Sequence, residues 1–321
     1  MLYLMNYKTH NMSAQKPTIG FVGQGFIGKN YANDFEARGY NVVRYALEPE
    51  YVANKENIKE CDIVFTAVWT PTAPSGKSRD DGHPRVKFDD SIVRSAVELA
   101  GETAIVVIKS TIVPGTTQSI QAANPKKFIL HSPEFLTEKT AAHDAAHPER
   151  NIVGMAKDTP EFRAAAEKVL SILPKAEFEL ITSAITAEHI KYANNAFLFL
   201  KIVFANIFYD LVEKNGADWE SIRAAVGADP RVGPSHLGLH LDGDPANVMR
   251  RRGAGRSCFI KDFAALSEMY ENAFPDDADA IMLMRGLEYK NSKFLRDADR
   301  YIDLLEGVYG EDAGKVNKKT I

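Results

Sequence analysis

The segment from Thr18 to Gly39 constrains the fold most. A short apolar run, Thr18 to Val22, leads into Gly23-Gln24-Gly25-Phe26-Ile27-Gly28, and a helical pattern follows through Tyr31, Phe35 and Arg38 to a stop at Gly39. Strand, glycine turn and helix in that order open a dinucleotide-binding unit. The first glycine permits the tight turn, the second lets backbone approach a pyrophosphate, and the third lets the helix pack close on the strand. The helix N-terminus then faces the phosphates. Gly23, Gly25 and Gly28, with Phe26 and Ile27 between them, are candidate cofactor contacts. The fingerprint also asks for an acid at the end of the second strand. Ala46 stands there, and the nearest acid is Glu48, which is either a ribose ligand or a solvated loop residue before Pro49. With Ala46 in the place of that acid, the fingerprint leaves the choice between NAD and NADP open.

The alternation continues. Strands are expected at Asn41–Tyr45, Asp62–Val68, Ala104–Ile108, Lys127–Leu130, Asn151–Met155 and Glu177–Ile181. Helical stretches are expected up to Glu60, at Asp89–Leu99, after Pro114, and through Phe162, Ala166 and Leu170. That rhythm implies an α/β fold, a Rossmann-like and mostly parallel sheet with helices on its faces. A loop rich in proline and glycine, Trp69 to Lys87, interrupts it. Beyond Thr182 only helices are expected: a long one through Ile190 to Val212, apolar on most sides, a short one at Asp218–Val226, and further helices from about Lys261 to Glu306. Gly227 to Gly255 is a long loop of the kind that usually carries function or is disordered. The expected organisation is a leader at 1–16, a dinucleotide-binding domain at 17–183, a helical catalytic and dimerisation domain at 184–308, and a tail at 309–321.

Composition excludes other classes. The 321 residues are 45% hydrophobic and 26% charged, ordinary globular usage. A formal net charge of −4 gives no basic excess for nucleic acid or an anionic membrane. The most apolar stretch, Ala196 to Val212, carries Lys201, Asn206 and Asp210 and reads as a buried helix rather than a bilayer span. The N-terminus lacks the basic start and continuous apolar run of a signal peptide. With two cysteines, Cys61 and Cys258, the reducing cytoplasm is the expected setting. Cys61, at the head of a strand, reads as a small core residue. Cys258 follows a glycine-rich loop, with Lys261 and Asp262 three and four residues on. A cation lowers a thiol's pKa and a carboxylate manages protons, so Cys258 is either a nucleophile or an inert thiol. His143 and His147, and His236 and His240, are spaced four apart without a third ligand, and no metal is expected.

Five separated stretches, in order, carry a family resemblance: the glycine fingerprint; Lys109-Ser110-Thr111-Ile112-Val113-Pro114-Gly115-Thr116; Ser132-Pro133-Glu134-Phe135-Leu136-Thr137-Glu138; Lys191-Tyr192-Ala193-Asn194-Asn195-Ala196-Phe197; and Ser257-Cys258-Phe259-Ile260-Lys261-Asp262. Through them the chain resembles the nucleotide-sugar 6-dehydrogenases. The resemblance implies oxidation of a hexose C6 alcohol to a carboxylate with two NAD molecules, UDP-glucose being the favoured sugar nucleotide. It implies Cys258 as the nucleophile that holds the aldehyde as a thiohemiacetal and then a thioester, Asp262 as an aid to water attack, and Lys191 with Asn195 as the oxyanion site. Four residues apart on one helix, Lys191 and Asn195 project from one face. It further implies Thr111 near the nicotinamide and the catalytic water, with Ser110 beside it. Glu134 and Glu138 correspond to residues at sugar and water, with Phe135 and Leu136 between them and Glu138 also reaching the cofactor. Thr70, Pro71 and Lys261 fall on the cofactor side, and Gly253, Gly255 and Arg256 beside the substrate. Arg231 matches an arginine that crosses a dimer interface, implying a homodimer. Glu134 and Glu138 at that spacing are otherwise an exposed helix edge.

Family members carry a further nucleotide-binding domain that this sequence is expected to lack. Arg250, Arg251, Arg252 and Arg256 form a local basic cluster, read either as a grip on the substrate diphosphate or as a solvated loop. Two other readings stand beside the leading one: a two-electron β-hydroxyacid-type dehydrogenase, which has no need of Cys258, and a non-catalytic dinucleotide-binding dimer.

Overall fold

The structure, a computed structural model, describes residues 16–79, 84–239 and 252–311. The expected leader, apart from Lys16, most of the tail, and Arg250, Arg251 and His240 lie outside them. The chain runs β1 (Ile19–Val22), α1 (Phe26–Ala37), β2 (Val42–Tyr45), β3 (Ile63–Thr66), β4 (Thr72–Ser78), β5 (Pro84–Phe88), α2 (Ser91–Glu98), β6 (Ile105–Ile108), α3 (Thr116–Ala123), β7 (Phe128–His131), α4 (Ala141–Ala146), β8 (Arg150–Met155), α5 (Pro160–Ile172), β9 (Phe178–Ser183), α6 (Ala184–Lys214), α7 (Trp219–Gly227), α8 (Arg256–Ala273), α9 (Ala278–Asp297) and α10 (Ile302–Tyr309).

Seven strands form one sheet in the order β2-β1-β3-β6-β7-β8-β9, every pair parallel except β7 with β8. Helices cover both faces, so the central strands are apolar on both sides. Ile19, Phe21, Ile63, Phe65, Ile105, Val107 and Leu130 point to one face, where Phe21 stacks on Phe65 at 5.0 Å and meets Phe35 of α1 edge-on at 5.7 Å. Val22, Val64, Val106, Ile108 and Ile129 point to the other, against Val93, Val97 and Ile120. Cys61 belongs to that second core, and burial pushes its thiol up to about 11. It is the inert small residue expected.

Three local expectations are corrected. The helical stretch before Glu60 is two tight turns, Val52–Asn54 and Glu56–Glu60, because polar residues there give no continuous apolar stripe to bury. The interval Trp69–Lys87 is not a plain loop: β4 and β5 pair antiparallel there. Glu134 and Glu138 do not share a helix, since residues 132–137 run without regular structure before α4, itself unforeseen.

β9 ends at Ser183, whose hydroxyl accepts from the Thr186 amide and caps α6. At 31 residues α6 spans roughly 45 Å. Alone among the described helices it is long and apolar enough to cross a bilayer, yet Glu188, Lys191, Asn195 and Asn206 along it are buried and bonded within the protein. Those bonds fix one face of it in the protein interior, while Phe197, Phe204 and Leu211 leave the expected all-round burial unmet.

Candidate active site

The strands β1, β3, β6 and β7 all end on one edge of the sheet, and the candidate residues lie in the loops that leave it, facing α6 and α8. That edge is where open α/β sheets bind ligands. Gly23 has φ +93°, and a side chain on it would meet the Ala67 carbonyl oxygen at 2.4 Å; one on Gly28 would meet the Gly23 oxygen at 1.9 Å. The chain itself requires both glycines. A Cβ on Gly25 meets nothing within 4 Å, and no side chain caps the α1 N-terminus there. Open space in front of uncapped amides suits a pyrophosphate. Phe26 is exposed beside it, and Ile27 packs on the core. Ala46 is buried at the end of β2, and Glu48 stands exposed two residues on.

The loops after β3 and β6 are tied together. Ser110 Oγ donates to the Val68 carbonyl at 2.8 Å and accepts from the Val68 amide at 2.9 Å. The hydroxyl expected at the cofactor therefore holds the loop that carries Thr70 and Pro71. Glu188 of α6 accepts from the Gly115 amide at 2.6 Å, and from the Thr117 amide and hydroxyl at 2.9 and 2.5 Å. It fixes the loop bearing Thr111 against α6 and serves as the cap of α3. Glu188 was not singled out in the sequence.

At the centre, Lys191 Nζ donates to the Glu134 carbonyl at 2.6 Å and to the Glu134 carboxylate at 2.9 Å, both residues buried. The other carboxylate oxygen of Glu134 accepts from the Leu136 amide at 2.9 Å. One turn along α6, Asn195 Nδ2 donates to Asp262 Oδ2 at 2.7 Å, and Lys261 Nζ donates to Asp262 Oδ1 at 2.5 Å. Lys261 also reaches Thr70 Oγ1 at 3.5 Å. Phe135 lies under the Arg150 guanidinium at 3.7 Å, and Arg150 bonds Asn194 at 2.8 Å.

Cys258 sits in the first turn of α8 and is solvent-accessible. The protein crowded around it and the Asp262 charge push its thiol above the ordinary value, while Lys191 and Lys261 pull it down. Burial works against the Lys191 charge, but Glu134, Cys258 and Asp262 outweigh it and hold the ammonium above the usual lysine range. Lys191 thus stays a cation facing the thiol, the arrangement that favours thiolate and any oxyanion formed on it.

Around this cluster, Glu138 is exposed and pairs with Arg256. Arg256 has φ +65° and opens α8. A Cβ on Gly255 would fall 2.1 Å from the Tyr301 ring. The neighbouring Ala254 amide and carbonyl are both bound by Asn291, at 2.7 and 2.9 Å, and Asn291 went unnoticed in the sequence. For Arg252 the phosphate-grip reading is corrected. It is 6% exposed and its guanidinium is committed to Asn206 at 2.7 Å and Asp210 at 2.8 Å. Burial draws it inward as a structural anchor of the loop. Arg231 is exposed and pairs with Asp229 at 2.6 Å, and among the described residues it touches none of the central cluster. His143 and His147 face each other with ring centroids 4.8 Å apart. Among the described residues no three His, Cys, Asp or Glu converge as a metal site.

Two further buried groups were missed. Lys109 donates to Ser132 Oγ at 3.2 Å and lies over the Tyr31 ring at 4.3 Å; burial pushes it down to about 8. His131 is fully buried, with neither ring nitrogen partnered, and burial together with Lys109 and Lys191 pushes it down to about 3. A lysine and a histidine closing apolar strands, in Ile105–Lys109 and Phe128–His131, were the available signal.

Two family models match the chain: the NAD binding domain of the UDP-glucose/GDP-mannose dehydrogenase family over residues 50–172, and the central domain of that family over residues 185–284. The UDP-glucose 6-dehydrogenase of Rickettsia conorii is 28% identical over 313 residues, covering 95% of this chain and 66% of that protein. That of Rickettsia prowazekii is 30% identical over 279 residues, covering 84% and 59%. The chain thus spans about three-fifths to two-thirds of the length of these relatives. Among solved structures, a UDP-glucose dehydrogenase from Pyrobaculum islandicum shares the fold with a TM-score of 0.66 at 24% identity, over 95% of this chain and 72% of that one. A Mycobacterium tuberculosis 3-hydroxyisobutyrate dehydrogenase shares it with a TM-score of 0.61 at 19% identity, over 88% and 94%.

Proposed function

The chain belongs to the UDP-glucose/GDP-mannose dehydrogenase family, and from that premise we propose that it oxidises the C6 alcohol of a nucleotide sugar, UDP-glucose by preference, to the carboxylate. NAD bound along the glycine turn supplies the hydride acceptor. The observation that carries the reading is the convergence of Lys191, Asn195, Asp262 and Lys261 around the accessible Cys258.

The chain's own residues have distinct work. Lys191 offers a fixed cation to the C6 oxygen as it gains charge, and Glu134 keeps that ammonium aimed. Cys258 as thiolate adds to the aldehyde carbon; the carbonyl oxygen takes up a proton, and the aldehyde is retained as a thiohemiacetal. Loss of a second hydride and of the hydroxyl proton leaves a thioester. Asp262, oriented by Asn195 and Lys261, assists water attack on that carbon, which releases the carboxylate and returns the thiol. Thr111 and Glu138 border the water's approach, with Phe135, Leu136, Gly253, Gly255 and Arg256 around the sugar. Glu48 is the remaining candidate for the cofactor ribose.

The reading includes a homodimer in the cytoplasm. Phe197, Leu200, Phe204, Ile207, Phe208 and Leu211 form an exposed apolar stripe at helical spacing along α6, Phe204 being 62% exposed. A second copy covering that stripe would bring Arg231 toward the neighbouring site, which light scattering of wild type and Phe204→Asp tests. For the chemistry, NADH formed per UDP-glucose consumed is counted for wild type and Cys258→Ser. Two per sugar from wild type supports the reading. One would point to a two-electron dehydrogenase, and none across a panel of nucleotide sugars to a non-catalytic dimer.

A further inference from the structure

The hairpin of β4 and β5 leaves the sheet domain directly after Trp69-Thr70-Pro71 and lies on the helical domain. Its fastening is ionic and buried. Arg79, at the end of β4, is 7% exposed. Its guanidinium stands 3.1 Å from Glu288, 3.4 Å from Glu268 and 3.6 Å from Glu271. Arg85 of β5 adds bonds to Glu268 at 2.7 Å and Glu271 at 2.6 Å. Ser267 and Tyr309 donate to Glu288, both at 3.2 Å. Beside this charge cluster Val86 packs with Ile260, Ala264, Leu295, Leu305 and Val308, so α8, α9 and α10 all grip the hairpin.

The grip ends at the candidate active site. Thr70 Oγ1 lies 3.5 Å from Lys261 Nζ, and the Trp69 ring centroid 5.9 Å from the same ammonium. Lys261 in turn holds Asp262. The loop that faces the cofactor is thus stretched between two anchors: Ser110 on the sheet side, and three carboxylates on the helical side. A neutral side chain at residue 79 would take from the buried Glu288 its ion pair and leave Glu268 and Glu271 to Arg85 and Arg285, and the hairpin would lose its central attachment.

We propose that Arg79 is a positioning residue. It acts through the hairpin to clamp the Trp69–Pro71 loop against Lys261 and so completes the dinucleotide side of the site. Nothing in the reaction touches Arg79 itself. The inference rests on the reading of this edge as a dinucleotide site, and its test is chosen to survive failure of the oxidation chemistry.

Trp69 is a built-in reporter, since the other tryptophan, Trp219, is buried elsewhere, edge-on to Tyr209. In a Trp219→Phe parent, acrylamide quenching of Trp69 reads the loop, and NADH titration reads the site without turnover. Arg79→Met is expected to raise quenching toward that of a fully exposed indole. It is also expected to weaken NADH binding about tenfold, on the scale that small misplacements of positioning groups produce. Arg79→Lys should recover most of both. Arg85→Met, which removes the half-buried cation and keeps the central one, should move both in the same direction by less, and it serves if Arg79→Met does not fold. Unchanged quenching and unchanged NADH affinity in a folded Arg79→Met or Arg85→Met overturn the proposal. If the parent binds no NADH, the dinucleotide reading falls and Trp69 quenching alone decides the clamp.

Discussion

Asn195 Nδ2 donates to Asp262 Oδ2 at 2.7 Å while Lys261 occupies the other carboxylate oxygen at 2.5 Å. A buried carboxylate held by one neutral and one charged donor is oriented as well as compensated. Asn195 therefore aims Asp262 from across the junction of α6 with α8.

Replacing Asn195 by Asp sets two carboxylates against each other where one donor stood. NADH production is expected to fall by about 100-fold or more, the usual scale for loss of a preorganised donor. Asn195→Ala should fall less. Steady-state turnover of the two variants beside wild type checks the order; a wild-type rate in Asn195→Ala would show that the Asp262 bond carries no orientation.

The Lys191–Glu134 pair predicts a stability effect separable from catalysis. Both groups are buried, so Lys191→Met leaves an unpaired carboxylate in the interior and should cost about 3–5 kcal/mol. Adding Glu134→Gln removes that charge and should restore much of the stability but none of the activity. Urea unfolding of the two single variants and the double variant provides the cycle. Equal losses in Lys191→Met and the double variant would show that the pair is not coupled.

Cys258 gives a prediction in pH. Its thiol lies above the ordinary value because crowding and Asp262 outweigh Lys191 and Lys261. The thiolate is therefore a minority at neutral pH in the ligand-free protein and grows as pH rises through the alkaline range. Iodoacetamide alkylation of Cys258, followed by peptide mass, should accelerate with pH accordingly. Lys191→Met removes a cation that favours thiolate and should shift the curve further to the alkaline side. A shift toward acid would contradict this electrostatic account.

How much was legible in the sequence follows from where each signal resides. The glycine turn was readable because steric demand at Gly23 and Gly28 admits nothing else, and the sheet because β1, β3 and β6 are apolar on both faces. Cys258, Lys191, Asn195 and Asp262 were readable as motif residues, but their convergence depends on packing α6 against α8, which no local pattern encodes. Arg252 misled because an arginine run reads as solvent-facing until Asn206 and Asp210 are seen beneath it. The Arg79 cluster was invisible because its partners lie about 190 to 210 residues away.

His131 yields the sharpest pH test of the fold itself. In an unfolded chain histidine takes a proton near pH 6.5, whereas burial beside Lys109 and Lys191 holds this imidazole neutral down to about 3. Between those values the unfolded state binds the proton and the folded state does not. The stability associated with a neutral His131 is therefore complete above pH 6.5 and is lost as pH falls toward 3, with a limiting slope of ~1.4 kcal/mol per pH unit from this one group. Glu288 works in the opposite direction. Its carboxyl is pushed up to about 7, so the folded state holds the extra proton between 7 and the ordinary glutamate range and gains stability as pH falls there. A wild-type profile mixes the two, and the difference between wild type and His131→Leu isolates the histidine. Leucine at that fully buried site has no proton to take up. The two proteins should have similar stability at pH 8, with the variant progressively the more stable below pH 6.5. Parallel denaturation profiles from pH 8 to pH 4 would mean that His131 takes up its proton without opening the fold.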